Sequence, residues 1–153
     1  MKQATDNLVT SINAEDKRAD VAVKLRIYAA CYAAFQQAKR AAVNYRVART
    51  TQTEEEREPL IQKQEDAQDK MDQAMGELLL VAPYETAELA NRLSYTLLSF
   101  MAATHIGPPF QESPDLKEAG LILTALVRRM RIDLGKPVDV PEPPAHERTS
   151  NQP

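Results

Sequence analysis

Ile27 to Phe35, IYAACYAAF, is nine residues without a charge, and it contains the chain's single cysteine. Nine is too few to span a bilayer, which takes about 20 apolar residues in a helix. Lys24 and Arg26 precede the stretch, and Gln36, Gln37, Lys39 and Arg40 follow it. It therefore reads as the middle of a core helix. Leu25, Tyr28, Tyr32 and Phe35 recur at helical spacing as one apolar stripe. Ile27, Cys31, Ala34, Ala38, Ala41, Tyr45 and Ala48 form a second, mostly small-residue stripe beside it. Small side chains let a neighbouring helix approach closely, so this helix is expected to be packed on several sides.

Working outward, the spacing predicts a first helix over residues 13–50, about 55 Å long at 1.5 Å per residue. Asn13 is its expected N-cap, with Glu15 and Asp16 in the first turn. Residues 1–12 are left as a lead segment. Thr53 and Glu56 have capping-box spacing, which places a second helix at 54–82. Pro59 implies a kink in it, or a later start at Pro59 itself. Its inner face is Leu60, Gln64, Ala67, Met71, Ala74, Leu78 and Val81. Pro83 ends it, because the residue before a proline disfavours helix.

The third helix is expected over 84–106, with Leu89, Leu93, Leu97, Phe100 and Thr104 inward and Ala90, Leu98 and Met101 beside them. Ile106-Gly107-Pro108-Pro109 is a stop signal. Ser113-Pro114-Asp115 then reads as N-cap, proline at the first helical position and an acidic first turn. The fourth helix, 114–134, carries Leu116, Ala119, Leu123, Leu126, Met130 and Leu134, and Gly135 follows it. Five of the ten prolines lie in 136–153, which reads as a Pro-rich disordered tail. The expected fold is all-α: an antiparallel up-down four-helix bundle with a long first helix. The charged beginning of that helix projects, and is either covered by Met1–Ile12 or forms an oligomer contact.

Charge is segregated along the chain. Residues 1–52 hold nine Lys/Arg against four Asp/Glu, and residues 53–82 hold three against nine. The two segments thus carry +5 and −6 and attract if they pair antiparallel. A net charge of −3 gives no steer towards nucleic acid or anionic lipid. The lone cysteine excludes an intramolecular disulfide framework. Met1–Asn13 lacks the apolar run of a signal peptide, so a cytoplasmic location is expected.

The inventory for catalysis is thin. His105 falls near the end of the third helix, where a cation suits the macrodipole, and His146 lies in the tail. No Glu-x-x-His pair occurs, which removes the usual basis of a di-metal bundle. Glu65, Asp69 and Asp72 share a face, but Lys63 and Lys70 mark that face as solvated. Cys31 lacks a neighbouring base in the sequence and reads as a small hydrophobe. Gly76, Gly107, Gly120 and Gly135 are too dispersed for a phosphate loop. Lys39, Arg40, Arg46 and Arg49, and again Arg128, Arg129 and Arg131, form basic patches. The acidic second helix opposes the first patch and a helix end explains the second. Pro141-Glu142-Pro143-Pro144 matches a P-x-x-P segment, a pattern shared by plain spacers.

Three segments, LRIYAACYAAFQQAKRAA, ELLLVAPYETAEL and RRMRIDLG, resemble a group of uncharacterised bacterial helical-bundle proteins common in actinobacteria. The matching positions are Leu25, Arg26 and Tyr28; Leu79, Pro83 and Glu85; and Arg131, Leu134 and Gly135. The likeness spans roughly residues 20–135 and implies a bundle with no settled catalytic activity. Members of that group are often membrane-anchored ahead of the bundle, whereas nothing before Ile27 here is apolar enough to span.

The sequence therefore points to a non-catalytic helical interaction module, self-associating or bound to another protein, with no cofactor and no metal. Lys17, Arg18, Lys24, Arg128, Arg129 and Arg131 are the candidate interaction surface. The alternatives are a small-molecule-binding regulatory bundle, with Tyr28, Tyr32, Met71 and Met101 lining an apolar cavity, or a membrane-surface protein.

Overall fold

A computed structural model of the chain describes residues 2–103 and 114–136, with side chains except at 2 and 12–19. Everything described is helical or a short connection. Helix α1 spans Lys2–Thr51, α2 Glu54–Val81, α3 Tyr84–Ala103 and α4 Pro114–Asp133.

Helix α1 begins at Lys2, not at Asn13, so the expected lead segment is part of the helix. The physical reason lies in what the first 51 residues lack: there is no glycine or proline among them. An asparagine in a helix interior costs only about 0.7 kcal/mol relative to alanine, too little to stop a helix already running. Upstream of Asn13, the Thr10 hydroxyl donates back to the Asp6 carbonyl at 2.8 Å, an interior-helix pattern. At the other end, the Thr50 and Thr51 hydroxyls both donate to the Val47 carbonyl. Arg57 Nη1 of α2 donates to the Arg49 carbonyl at 3.3 Å, satisfying one acceptor that the helix end leaves over.

Helix α2 starts where the capping-box spacing places it. Thr53 is its N-cap, and its hydroxyl accepts from the Glu56 amide at 3.4 Å. Pro59 is accommodated inside the helix. Ala82 and Pro83 connect to α3. Helix α4 ends in a Schellman arrangement: Gly135 has φ 68°, its amide donates to the Ile132 carbonyl, and the Lys136 amide donates to the Arg131 carbonyl. The expected end of the third helix beyond Ala103, the Gly107 stop, the Ser113 cap and the tail from 137 onward lie outside the described residues.

Helix α1 packs chiefly on α2, and α3 chiefly on α4. Close contact between α1 and α2 rests on small side chains: Cys31, Ala34, Ala38 and Ala42 on one, Ala67 and Ala74 on the other, all buried. Phe35, Met71, Leu78, Leu93, Leu97, Phe100 and Leu126 supply the bulk of the same core. Arg46 lies over the Phe100 ring, 5.6 Å from its centroid, which adds a cation–π contact between α1 and α3.

Two positions depart from the expected stripes. Leu25 and Tyr32 are 44% and 42% exposed, whereas Tyr28 and Phe35 are buried. Three residues of helix turn the side chain through about 60° net, enough to move Leu25 and Tyr32 past the edge of the buried face. Before Ile27, no residue of α1 with a described side chain is buried. The first half of α1, about 37 Å long at 1.5 Å per residue, thus contributes none of its described side chains to the core and is called the arm below.

Candidate functional site

A group of interacting polar side chains sits where the end of α4 meets the start of α3 and the middle of α1. Asp133 is its centre. The Thr86 hydroxyl donates to Asp133 Oδ2 at 2.5 Å, and the Tyr28 hydroxyl donates to the same oxygen at 3.0 Å. Arg129 Nε stands 3.9 Å from Oδ1, an ion-pair distance rather than a hydrogen bond. Arg129 Nη2 meets Glu85 Oε2 at 2.6 Å. The Asp133 side chain is only 5% exposed.

Local chemistry puts each residue there. Glu85 and Thr86 are in the first turn of α3, directly after the Pro83 that ends the preceding connection. Arg129 and Asp133 are one turn apart on α4 and face the same side. A carboxylate at a helix C-terminus is disfavoured by the macrodipole, and the two hydroxyls and the guanidinium offset that cost. Burial first, and then the hydrogen bond to Asp133 and its charge, push the Tyr28 phenol well above its ordinary value. The phenol therefore stays protonated and remains a donor. With Oδ2 holding two hydroxyls and Oδ1 facing a cation, the group works as a clamp between three helices.

The expected site residues are distributed rather than gathered. Arg129 is committed to the exposed Glu85 and the buried Asp133. Arg128 and Arg131 are half-buried on α4, and Lys24 is half-buried on α1. The side chains of Lys17 and Arg18 lie outside the described residues, as do His105, His146 and the Pro141–Pro144 segment.

Cys31 is fully buried, and burial, reinforced by the Glu77 carboxylate, pushes its thiol up to about 12. That is the opposite of the depressed value a nucleophilic thiol needs. Glu65, Asp69 and Asp72 are exposed, and no three His, Cys, Asp or Glu among the described residues group to hold a metal ion. Gln64 is buried and donates from Nε2 to the Met101 carbonyl at 3.3 Å, serving an acceptor near the end of α3.

The residues named for an apolar cavity do not meet around one. Tyr28 and Met71 are core, Tyr32 points outward and its hydroxyl accepts from Gln36, and Met101 lines an open groove with Ile61, Gln64 and Leu98. A second open groove, between α1 and α2, is polar: Gln37, Arg40, Asn44, Lys63, Asp66 and Lys70 border it. No helix of the described residues is long and apolar enough to cross a membrane.

The clamp escaped sequence reasoning because its members are far apart in the chain. The one available signal was Asp133 itself, a carboxylate one residue ahead of Leu134-Gly135, where a helix end calls for a cation. Tyr28, Glu85 and the Gly135 cap all lie on or beside the clamp. No protein-family model, curated protein or solved structure matches the chain.

Proposed function

We propose that the chain is a non-catalytic helical interaction protein, built as an antiparallel up-down four-helix bundle, which joins another protein chain through the free half of α1. The observation that carries this reading is the arm itself. Leu8, Val9, Val21, Val23 and Leu25 are all exposed on a helix that extends well beyond its own core. Isolated helices in water are marginal, and an apolar-bearing one gains stability from packing against a partner.

The bundle topology is supported by short connections at Gln52-Thr53 and Ala82-Pro83 and by pairing at opposite ends: Arg57 with Arg49, and Thr86 with Asp133. The commitment of Asp133 to Thr86 and Tyr28, that of Arg129 to Glu85, and the raised Cys31 thiol support a non-catalytic role. The bacterial helical-bundle resemblance and a cytoplasmic location belong to the same reading. A lone buried thiol suits a reducing compartment.

Sedimentation of the full chain and of its Leu8→Glu and Leu25→Glu variants tests the arm. A self-assembling chain is expected to lose about tenfold or more in affinity per substituted leucine. Assembly unchanged by both substitutions would move the contact off the arm.

A further inference from the structure

The arm carries a seven-residue pattern that its own core does not use. Steps of three and four residues connect Leu8, Ser11, Glu15, Arg18, Ala22 and Leu25 into one continuous line along α1. Ala4 extends the line at one end, and Ala29 and Tyr32 extend it at the other. Where side chains are described the line faces solvent: Leu8 is 61% exposed, and Leu25, Ala29 and Tyr32 are exposed as well. It lies beside the face that Ile27, Cys31 and Ala34 bury against the rest of the protein.

The line is also a mirror of itself with the charges inverted. About a midpoint between Asp16 and Lys17, Leu8 reflects onto Leu25, Ser11 onto Ala22 and Ala4 onto Ala29. Glu15 reflects onto Arg18, and off the line Asp16 reflects onto Lys17. A two-fold axis through that midpoint brings two identical helices together antiparallel, so each residue meets its mirror image. In that register a leucine position falls opposite a leucine position, small opposite small, and an acidic position opposite a basic one, each twice. A parallel pairing in register sets Glu15 on Glu15 and Arg18 on Arg18, which is repulsive.

We propose that the arm pairs antiparallel with the arm of a second copy of this chain, in the register that sets the position of Leu8 beside the partner's position 25 and the position of Glu15 beside the partner's position 18. This rests on the interaction reading above and adds the occupant, the direction and the register. The overlap from Ala4 to Ala29 is about 39 Å long. Alanines along it allow close approach of the two helices, and the two central charged layers fix register at some cost in stability. Nothing on the arm has to change conformation, because α1 is already helical throughout.

The test is charge reversal and exchange in the full chain, followed by sedimentation, with circular dichroism confirming that each variant stays helical. Arg18→Glu or Glu15→Arg alone places like charges in both central layers, and each is expected to raise the dimer dissociation constant at least tenfold, roughly. The double variant Glu15→Arg/Arg18→Glu restores opposite charges and is expected to return to within about threefold of the parent. In parallel, Ser11→Cys/Ala22→Cys is expected to form covalent dimers on oxidation, while either cysteine alone does not, since like positions stand about 16 Å apart in this register. A parent dimer that ignores the charge variants, or single cysteines that cross-link, overturns the register and leaves the interaction reading standing. A parent that stays monomeric but binds a different protein through the arm overturns the second copy as occupant. A parent that is monomeric and binds nothing overturns both.

Discussion

Tyr28 and Asp133 are 105 residues apart in sequence, and the hydroxyl of one donates to the carboxylate of the other at 3.0 Å. The same carboxylate oxygen accepts from Thr86, so α1, α3 and α4 are held at a single atom. Asp133→Ala leaves two hydroxyls without their acceptor and the Arg129 guanidinium with Glu85 alone. Leaving a buried donor unpaired costs about 1–3 kcal/mol, so the variant is expected to lose about 3 kcal/mol in urea unfolding. Tyr28→Phe keeps the other two partners and is expected to lose about 1.5 kcal/mol. The double variant is expected to lose less than the sum, because the two share one interaction. Strict additivity would contradict the clamp.

Alkaline pH is expected to destabilise the fold. Both Cys31, raised from 9.0 to about 12, and Tyr28, raised from 10.0, hold their protons more tightly when folded than unfolded. Their stabilising contribution is therefore complete below pH 9. It declines from there upward as the unfolded chain deprotonates first, and the Cys31 share is exhausted near pH 12. Each group contributes a slope of about 1.4 kcal/mol per pH unit within its window. Urea midpoints measured at pH 8 and near pH 10.5 check this, and Cys31→Ala is expected to flatten the earlier part of the decline. A level profile in the parent protein would contradict it.

The helix ends make a separate, smaller prediction. Gly135 adopts φ 68°, a left-handed conformation that a side chain resists, and Gly135→Ala is expected to cost about 1 kcal/mol. Thr53→Ala removes the N-cap acceptor and is expected to cost about 1 kcal/mol as well. The sites lie at different helix ends with no shared partner, so the two losses should add when urea unfolding of the double variant is measured.

Burial gives a contrast within one residue type. Leu97→Ala or Leu126→Ala empties a position that is at most 1% exposed and is expected to cost about 2–5 kcal/mol. Leu80→Ala removes a side chain that is 86% exposed, and its effect on urea unfolding is expected to stay within about 0.5 kcal/mol.

Much of the architecture is legible in the chain because helix punctuation is local. Thr53 with Glu56, Pro83, Pro114 with Asp115, and Gly135 each announce a boundary through their own backbone chemistry, and α2, α3 and α4 begin there. The start of α1 is not legible for the same reason. Asn13, Glu15 and Asp16 satisfy the pattern of a first turn, yet nothing about them forbids an interior position. Leu25 and Tyr32 read as core because periodicity marks a face without marking its edge. The Asp133 clamp joins residues from three helices, and no spacing within one helix reports it. The self-complementary line on the arm is written in the sequence, but its meaning depends on α1 being continuous from Lys2 and on its described side chains before Ile27 lying outside the core.

Native mass spectrometry of the full chain tests most directly whether this is an interaction protein that assembles through its arm. The expected mass is that of two bare chains, falling to one when Leu8 and Leu25 are both replaced by glutamate. A single-chain mass at every concentration, or a reproducible mass beyond an integer number of chains, would contradict it. The first would remove self-assembly, and the second would mean that the protein holds a small molecule.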